Sequence, residues 1–108
     1  METLAHAPVL ARFGYAISDA TRARVLLALA GAPAFPSELA DSLGVSRQSM
    51  SNHLTCLRGC GLVVGVPDGR RTRYELADAR LGHAIKDLIG VVLAVDPNCC
   101  APDGTCLA

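Results

Sequence analysis

The sequence predicts a mainly α fold that carries one β-hairpin, and three observations predict it. Apolar residues recur at helical spacing in five separate segments, and glycine, proline and capping residues fall between those segments. A single pair of β-prone runs flanks an Asp-Gly turn signal late in the chain.

The elements follow in order. His6 to Ile17 carries Leu10, Phe13 and Ile17 at helical spacing, and after Ser18-Asp19, which can cap, Thr21 to Ala30 carries Val25, Leu26 and Leu29. Gly31-Ala32-Pro33 breaks that second helix. Pro36-Ser37 starts a short third helix through Leu43, and Gly44-Val45-Ser46 interrupts before a fourth helix over Arg47 to Gly59. A helix, a three-residue turn with glycine and a second helix form a helix-turn-helix signature. The runs Leu62 to Val66 and Thr72 to Leu76, on either side of Pro67-Asp68-Gly69-Arg70, predict the hairpin directly after it. Asp78 can cap a last helix in which Leu81, Ile85, Leu88, Val92 and Val95 recur at four, three, four and three, the seam of a helix that pairs with another helix, and Pro97 ends it. The expected architecture is a winged helix-turn-helix that dimerises through its terminal helices. Residues 1–96 form that domain and residues 97–108 a cysteine-rich tail.

Composition narrows the function classes. With 108 residues the chain has room for one core and for no second catalytic domain. Half of it is apolar (51%) and only 19% is charged, which excludes disorder and leaves apolar surface for a partner, a second copy of the chain. The longest apolar stretch, Leu88 to Val95, is far too short to span a membrane, and the N-terminus lacks the basic and apolar regions of a signal peptide. A cytoplasmic protein with no membrane partner and no small organic substrate is expected.

The net charge is zero, so binding to nucleic acid must come from local clustering. Between Ser46 and Tyr74 five arginines (Arg47, Arg58, Arg70, Arg71, Arg73) face one acid, Asp68, a local excess of four positive charges. On the fourth helix Met50, Leu54 and Leu57 mark the core side, while Arg47, Gln48, Ser51, Asn52 and Thr55 cluster opposite, with Ser49 and His53 at the border. Such side chains hydrogen-bond base edges and phosphates from a helix in the major groove. The expected DNA-binding set is Arg47, Gln48, Ser49, Ser51, Asn52 and His53, with Arg70, Arg71 and Arg73 on the wing. A solvated polar face explains either element alone; their succession favours DNA.

Three strings also carry a resemblance: Ser18-Asp19-Ala20-Thr21-Arg22; Ser51-Asn52-His53-Leu54-Thr55-Cys56-Leu57-Arg58-Gly59-Cys60-Gly61-Leu62-Val63; and Gly69-Arg70-Arg71-Thr72-Arg73-Tyr74. They resemble the ArsR/SmtB family of metal-sensing repressors over roughly residues 8 to 96. The string from Cys56 to Val63 and the helix end at Val91-Val92-Leu93-Ala94-Val95-Asp96 look like its cadmium- and lead-sensing CmtR-type branch. The resemblance implies a homodimeric winged-helix repressor that leaves its operator when metal binds. Ala20 departs from the family's usual Asp-Pro-Thr-Arg.

Five cysteines in a reducing compartment read as metal ligands or redox groups. Cys56 and Cys60, four apart on the fourth helix, can chelate one ion from adjacent turns, where a bound ion pulls on the DNA-reading helix. A soft ion takes three or four thiolates, and the tail supplies Cys99, Cys100 and Cys106. In the CmtR-type pattern the tail thiolate comes from the opposite subunit, and Cys99 or Cys100 occupies about that place. Cys56, Cys60 and one of these predict an all-sulfur site for Cd(II) or Pb(II). Two buried, inert cysteines and an inconsequential tail are the bland alternative. As(III) on Cys99, Cys100 and Cys106 is the rival inducer, a layout like the tail sites of some arsenic-sensing members. Zn(II) suits the set less well: the last helix lacks paired histidines, and a solvated face explains Asp78, His83 and Asp87.

Nothing supports catalysis. There is no Cys-x-x-Cys redox motif, and His53 beside Cys56 is not a nucleophile with an oriented base, although a repressor that senses oxidation shares the same thiol chemistry. A dimer presenting two reading helices predicts an imperfect palindromic operator with half-sites one helical turn, or a multiple, apart.

Overall fold

The computed structural model describes residues 2–92. A short 3-10 turn over Glu2–His6 leads into α1 (Ala7–Ile17), followed by α2 (Ala20–Gly31), α3 (Pro36–Leu43), α4 (Arg47–Gly59), β1 (Val63–Asp68), β2 (Arg71–Leu76) and α5 (Ala79–Val92). The mainly helical fold with an antiparallel hairpin is the one the sequence predicts. The tail with Cys99, Cys100 and Cys106, and the end of the last helix beyond Val92, lie outside the described residues. None of the described helices is long and apolar enough to cross a membrane.

The helix starts are chemically explicit. The Asp19 carboxylate accepts from the Arg22 backbone N–H at 3.0 Å and caps α2, and the Ser46 hydroxyl accepts from the Ser49 N–H at 3.0 Å and caps α4. Pro36 opens α3, where a missing N–H costs nothing, and Glu38 accepts the Phe35 N–H at 2.9 Å. Ser18 and Arg22 close the end of α1. The Ser18 hydroxyl donates to the Tyr15 carbonyl oxygen at 2.6 Å, and Arg22 donates from Nε to the Ala16 carbonyl oxygen at 2.8 Å and from Nη2 to that of Tyr15 at 3.1 Å. The Ser18 to Arg22 string is thus a hinge-free joint, satisfying the carbonyls that end one helix and the N–H groups that begin the next.

Helix α2 is the centre of the packing and touches α1, α3, α4, α5 and β2. It contributes Val25, Leu26 and Leu29 to a core completed by Ala16 of α1, Leu39 and Ala40 of α3, Met50, Leu54 and Leu57 of α4, Val63 of β1 and Ile85 of α5. Each large side chain buried here is worth about 1.5–3 kcal/mol relative to exposure. All three buried α4 residues are those the helical periodicity assigned to the core.

The hairpin is tighter than the sequence suggests. The strands pair from Val63 opposite Leu76 to Asp68 opposite Arg71, so Pro67 and Asp68 belong to β1 and the loop is Gly69-Arg70 alone. Gly69, at φ 63°, supplies the positive φ that a two-residue hairpin loop demands. The structure also adds a pairing that the breaker-rich segment before α3 conceals. Ala34 donates to the Tyr74 carbonyl at 3.0 Å and accepts from the Tyr74 N–H at 2.8 Å, which stitches β2 to the α2–α3 connection.

Candidate nucleic-acid interface and thiol pair

Because Met50, Leu54 and Leu57 hold α4 against the core, Arg47, Gln48, Ser51, Asn52, Thr55 and Arg58 are left exposed on the far side. The Gln48 side-chain amide donates to Asn52 Oδ1 at 3.1 Å, joining the two amides into one unit one turn long. The Thr55 hydroxyl donates to the Ser51 carbonyl at 2.9 Å, which uses its proton internally and leaves its lone pairs outward as acceptors.

His53 turns away from that face. It is half-buried, with Nδ1 3.9 Å from Asp19 Oδ1 at the start of α2. Asp19 has its carboxyl held below the usual carboxylate value mainly by the Arg22 N–H it accepts, with the nearby His53 and Arg22 side chains adding to the effect against the cost of burial.

The three wing arginines occupy different environments. Arg70 sits exposed in the loop. The Arg71 guanidinium lies over the Phe35 ring, 3.6 Å from its centroid, and donates from Nη2 to the Ser37 hydroxyl at 3.4 Å. Arg73 donates from Nη1 to Asp68 Oδ2 at 3.4 Å across the hairpin, and its Nε is buried with no hydrogen-bond partner among the described residues. In sequence the three are alike. Phe35 and Ser37 lie more than thirty positions from Arg71, so no local spacing announces that contact.

Cys56 and Cys60 are free thiols and both half-buried. With Ser49 and His53 they form one stripe of intermediate exposure along α4, between the core and the outward face. Cys60 closes α4 as its terminal cap instead of lying within it, and its N–H still donates to the Cys56 carbonyl at 3.0 Å. The two therefore stay one turn apart on one side, with β-carbons about 5–6 Å apart. Beyond them the chain leaves through a Schellman closure: Gly61 donates to the Arg58 carbonyl and Leu62 to that of Leu57, each at 3.0 Å. Gly61, at φ 76°, makes this possible and so explains the glycine that follows Cys60. Among the described residues no three His, Cys, Asp or Glu side chains gather into a group able to hold a metal ion.

Phe13 and Ile17 of α1, Leu26 and Leu27 of α2, and Ile85, Leu88 and Ile89 of α5 line an apolar groove. Leu10 is 69% exposed and Val91 78%, so apolar surface extends along both terminal helices.

A helix pair with an exposed polar second helix, followed at once by an arginine-bearing hairpin, defines a winged helix-turn-helix transcriptional regulator, a class of DNA-binding protein and not of enzyme. Comparison with known proteins gives the same class. A helix-turn-helix domain family matches residues 17–66. The transcriptional regulator CmtR of Mycobacterium tuberculosis is 54% identical over 89 residues, which cover 82% of this chain and 75% of the relative. The NMR structure of the M. tuberculosis cadmium metal-sensor CmtR superposes with a TM-score of 0.69 at 50% identity, covering 91% of this chain and 97% of that one. The homodimeric winged helix-turn-helix domain of Mb0332 from Mycobacterium bovis, described as a possible ArsR-family regulator, superposes with a TM-score of 0.75 at 26% identity, covering 84% and 83%. The chain belongs to the ArsR/SmtB family of transcriptional regulators, on its CmtR branch.

Proposed function

We propose that this chain is a metal-responsive repressor that holds operator DNA as a homodimer and releases it when Cd(II) or Pb(II) binds its cysteine thiolates. The observation that carries the reading is the position of Cys56 and Cys60, two free thiols one turn apart on the flank of the helix whose outer face carries Arg47, Gln48, Ser51 and Asn52. Thiolate sulfurs select soft ions, and the neighbouring His53 is directed at Asp19. Two thiolates leave coordination positions open, and Cys99 or Cys100 of the tail, from the same or the other subunit, supplies the next; Cys106 is a further tail thiol. The cadmium sensing named for the CmtR structure supports the choice of metal.

The chemistry of each part follows. Gln48 and Asn52 read base edges, Arg47, Arg58 and Arg70 meet phosphates, and the Ser49 and Ser51 hydroxyls add polar contacts. The apolar groove between α1 and α5 accepts a second copy, as the homodimeric relative supports. Metal bound at the flank of α4 and tied to the tail changes the angle of the reading helix, so the dimer fits two half-sites less well. A coupling of about 1–3 kcal/mol changes operator affinity roughly 5- to 150-fold.

The test is a titration of the purified protein with Cd(II) under reducing conditions, following the sulfur-to-metal charge-transfer absorption and binding to a duplex selected from a randomised pool. Wild type should develop the band and release DNA. Cys56→Ser, Cys60→Ser and a chain ending at Asp96 should each lose both responses while still binding DNA. Unchanged DNA affinity at saturating Cd(II) and Pb(II) would sink the reading.

A further inference from the structure

We propose that Arg71 does not contact DNA but positions the wing against the helix-turn-helix, leaving Arg70 as the hairpin's phosphate contact. This inference rests on the DNA-binding reading above and assigns separate roles to the arginines within it.

Four observations carry it. The Arg71 guanidinium is stacked at 3.6 Å over Phe35, the residue that precedes α3, and is hydrogen-bonded to Ser37 in the first turn of that helix. Two backbone hydrogen bonds between Ala34 and Tyr74 join the same two segments, so a backbone clamp and a side-chain clamp lie side by side. Arg73, on the same face of β2, is engaged with Asp68 within the hairpin. Arg70 and Arg71 are both exposed, but Arg70, in the loop beyond the last strand pair Asp68 and Arg71, makes no side-chain hydrogen bond or ion pair among the described residues.

The physical consequence is a fixed angle between hairpin and α3. Two hydrogen bonds at Ala34 and the burial of Val63 hold the middle and base of the hairpin but leave its loop end, where Arg71 sits, able to twist. A planar cation held flat on an aromatic ring, and donating sideways to a hydroxyl, resists that twist because both its plane and its edge are specified. Leaving the ring for a phosphate would forfeit both interactions. A lysine in its place keeps the charge but not the plane or the fork, and this separates a positioning role from phosphate binding.

The experiment measures binding of the duplex selected from a randomised pool across a range of NaCl concentrations, for wild type and for Arg70→Gln, Arg71→Gln, Arg71→Lys, Phe35→Leu and the double variant Phe35→Leu/Arg71→Gln. Arg70→Gln should shallow the salt dependence, by about 0.9 in log–log slope for each phosphate no longer neutralised. Arg71→Gln should weaken binding about two- to fivefold per subunit with the wild-type slope, and Arg71→Lys should match it instead of rescuing. Phe35→Leu should weaken binding by a similar factor, and the double variant should bind no more weakly than either single one. A slope change in Arg71→Gln equal to that of Arg70→Gln, full rescue by Arg71→Lys, or additive effects in the double variant would each overturn the proposal while leaving DNA binding intact. No saturable binding by wild type at low salt would instead remove the DNA-binding reading, and this inference with it.

Discussion

The Arg22 side chain donates from Nε to the carbonyl oxygen of Ala16, 2.8 Å away in the preceding helix, while the backbone N–H of the same residue is held by the Asp19 cap. One residue therefore closes α1 and is fastened at the start of α2. Removing its side chain leaves the Ala16 carbonyl without this donor at the edge of the core. Arg22→Ala should destabilise the fold by about 1–3 kcal/mol. Urea unfolding at fixed protein concentration checks it, and a change below about 0.5 kcal/mol would show the joint to be held by other interactions.

Asp19 makes stability depend on pH in a defined direction. Its folded carboxyl titrates below the ordinary 3.8, so the stabilisation is fully present above that value and is lost as pH falls through the folded one. Asp19→Asn keeps a capping oxygen but cannot titrate, and the stability difference from wild type should shrink as pH falls below about 4. Asp78 behaves similarly at the start of α5, where hydrogen bonds from Arg80 hold its carboxyl down at about 2. Its carboxyl resonance should titrate near that value by NMR, and Arg80→Ala should move the midpoint up toward 3.8.

Fold and reading face separate on α4. Leu54 is buried between Met50 and Leu57, and Leu54→Ala should cost about 2–5 kcal/mol of stability. Asn52→Ala, on the exposed face, should change stability by less than about 0.5 kcal/mol. It should cost about 1–3 kcal/mol in binding of the selected duplex and relax the base preference at one position of each half-site. Calorimetry on both variants and competition with single-base substitutions give the comparison.

Placing a carboxylate in the apolar groove tests its role directly. Leu88 is 41% exposed beside Phe13 and Ile89 at the mouth of that groove. Leu88→Glu should yield a folded monomer by sedimentation, with unchanged far-ultraviolet circular dichroism and greatly weakened DNA binding. A variant that stays dimeric would place the subunit interface elsewhere.

Gly61→Ala tests how the second thiol is fixed. A β-carbon at φ 76° is strained and should cost about 1–2 kcal/mol. Relief of that strain by unwinding the Schellman closure displaces Cys60, so Cd(II) affinity should fall while the total of five reactive thiols stays unchanged. Ellman titration and Cd(II) competition measure the two effects separately.

Much of the fold is legible along the chain because it is local. The caps Asp19 and Ser46, the α4 core stripe Met50, Leu54 and Leu57, and the bounds of α3 and α4 all follow from spacing and residue type. The half-buried stripe holding Cys56 and Cys60 is also readable, since a helical wheel needs only 100° per residue. Sequence and structure part where pairing partners compete. The hairpin loop shortens to Gly69-Arg70 because Asp68 finds Arg71 opposite, and Ala34, beside the Gly31-Ala32-Pro33 breaker, joins β2. His53, expected among the DNA-facing residues, points toward Asp19 at the start of α2.

Sequence alone determined the order and type of the elements, the face of α4 that is polar and the turn-spaced pair of thiols, because periodicity and capping act over a few residues. Tertiary structure alone decided which of three like arginines has no partner among the described residues. Arg70, Arg71 and Arg73 carry the same charge on one short hairpin, and what separates them is a ring at Phe35 and a carboxylate at Asp68, brought beside them only when the hairpin closes and docks on α3. A cation's availability to an external phosphate depends on whether a partner has already taken it, and such partners are chosen by folding across the chain.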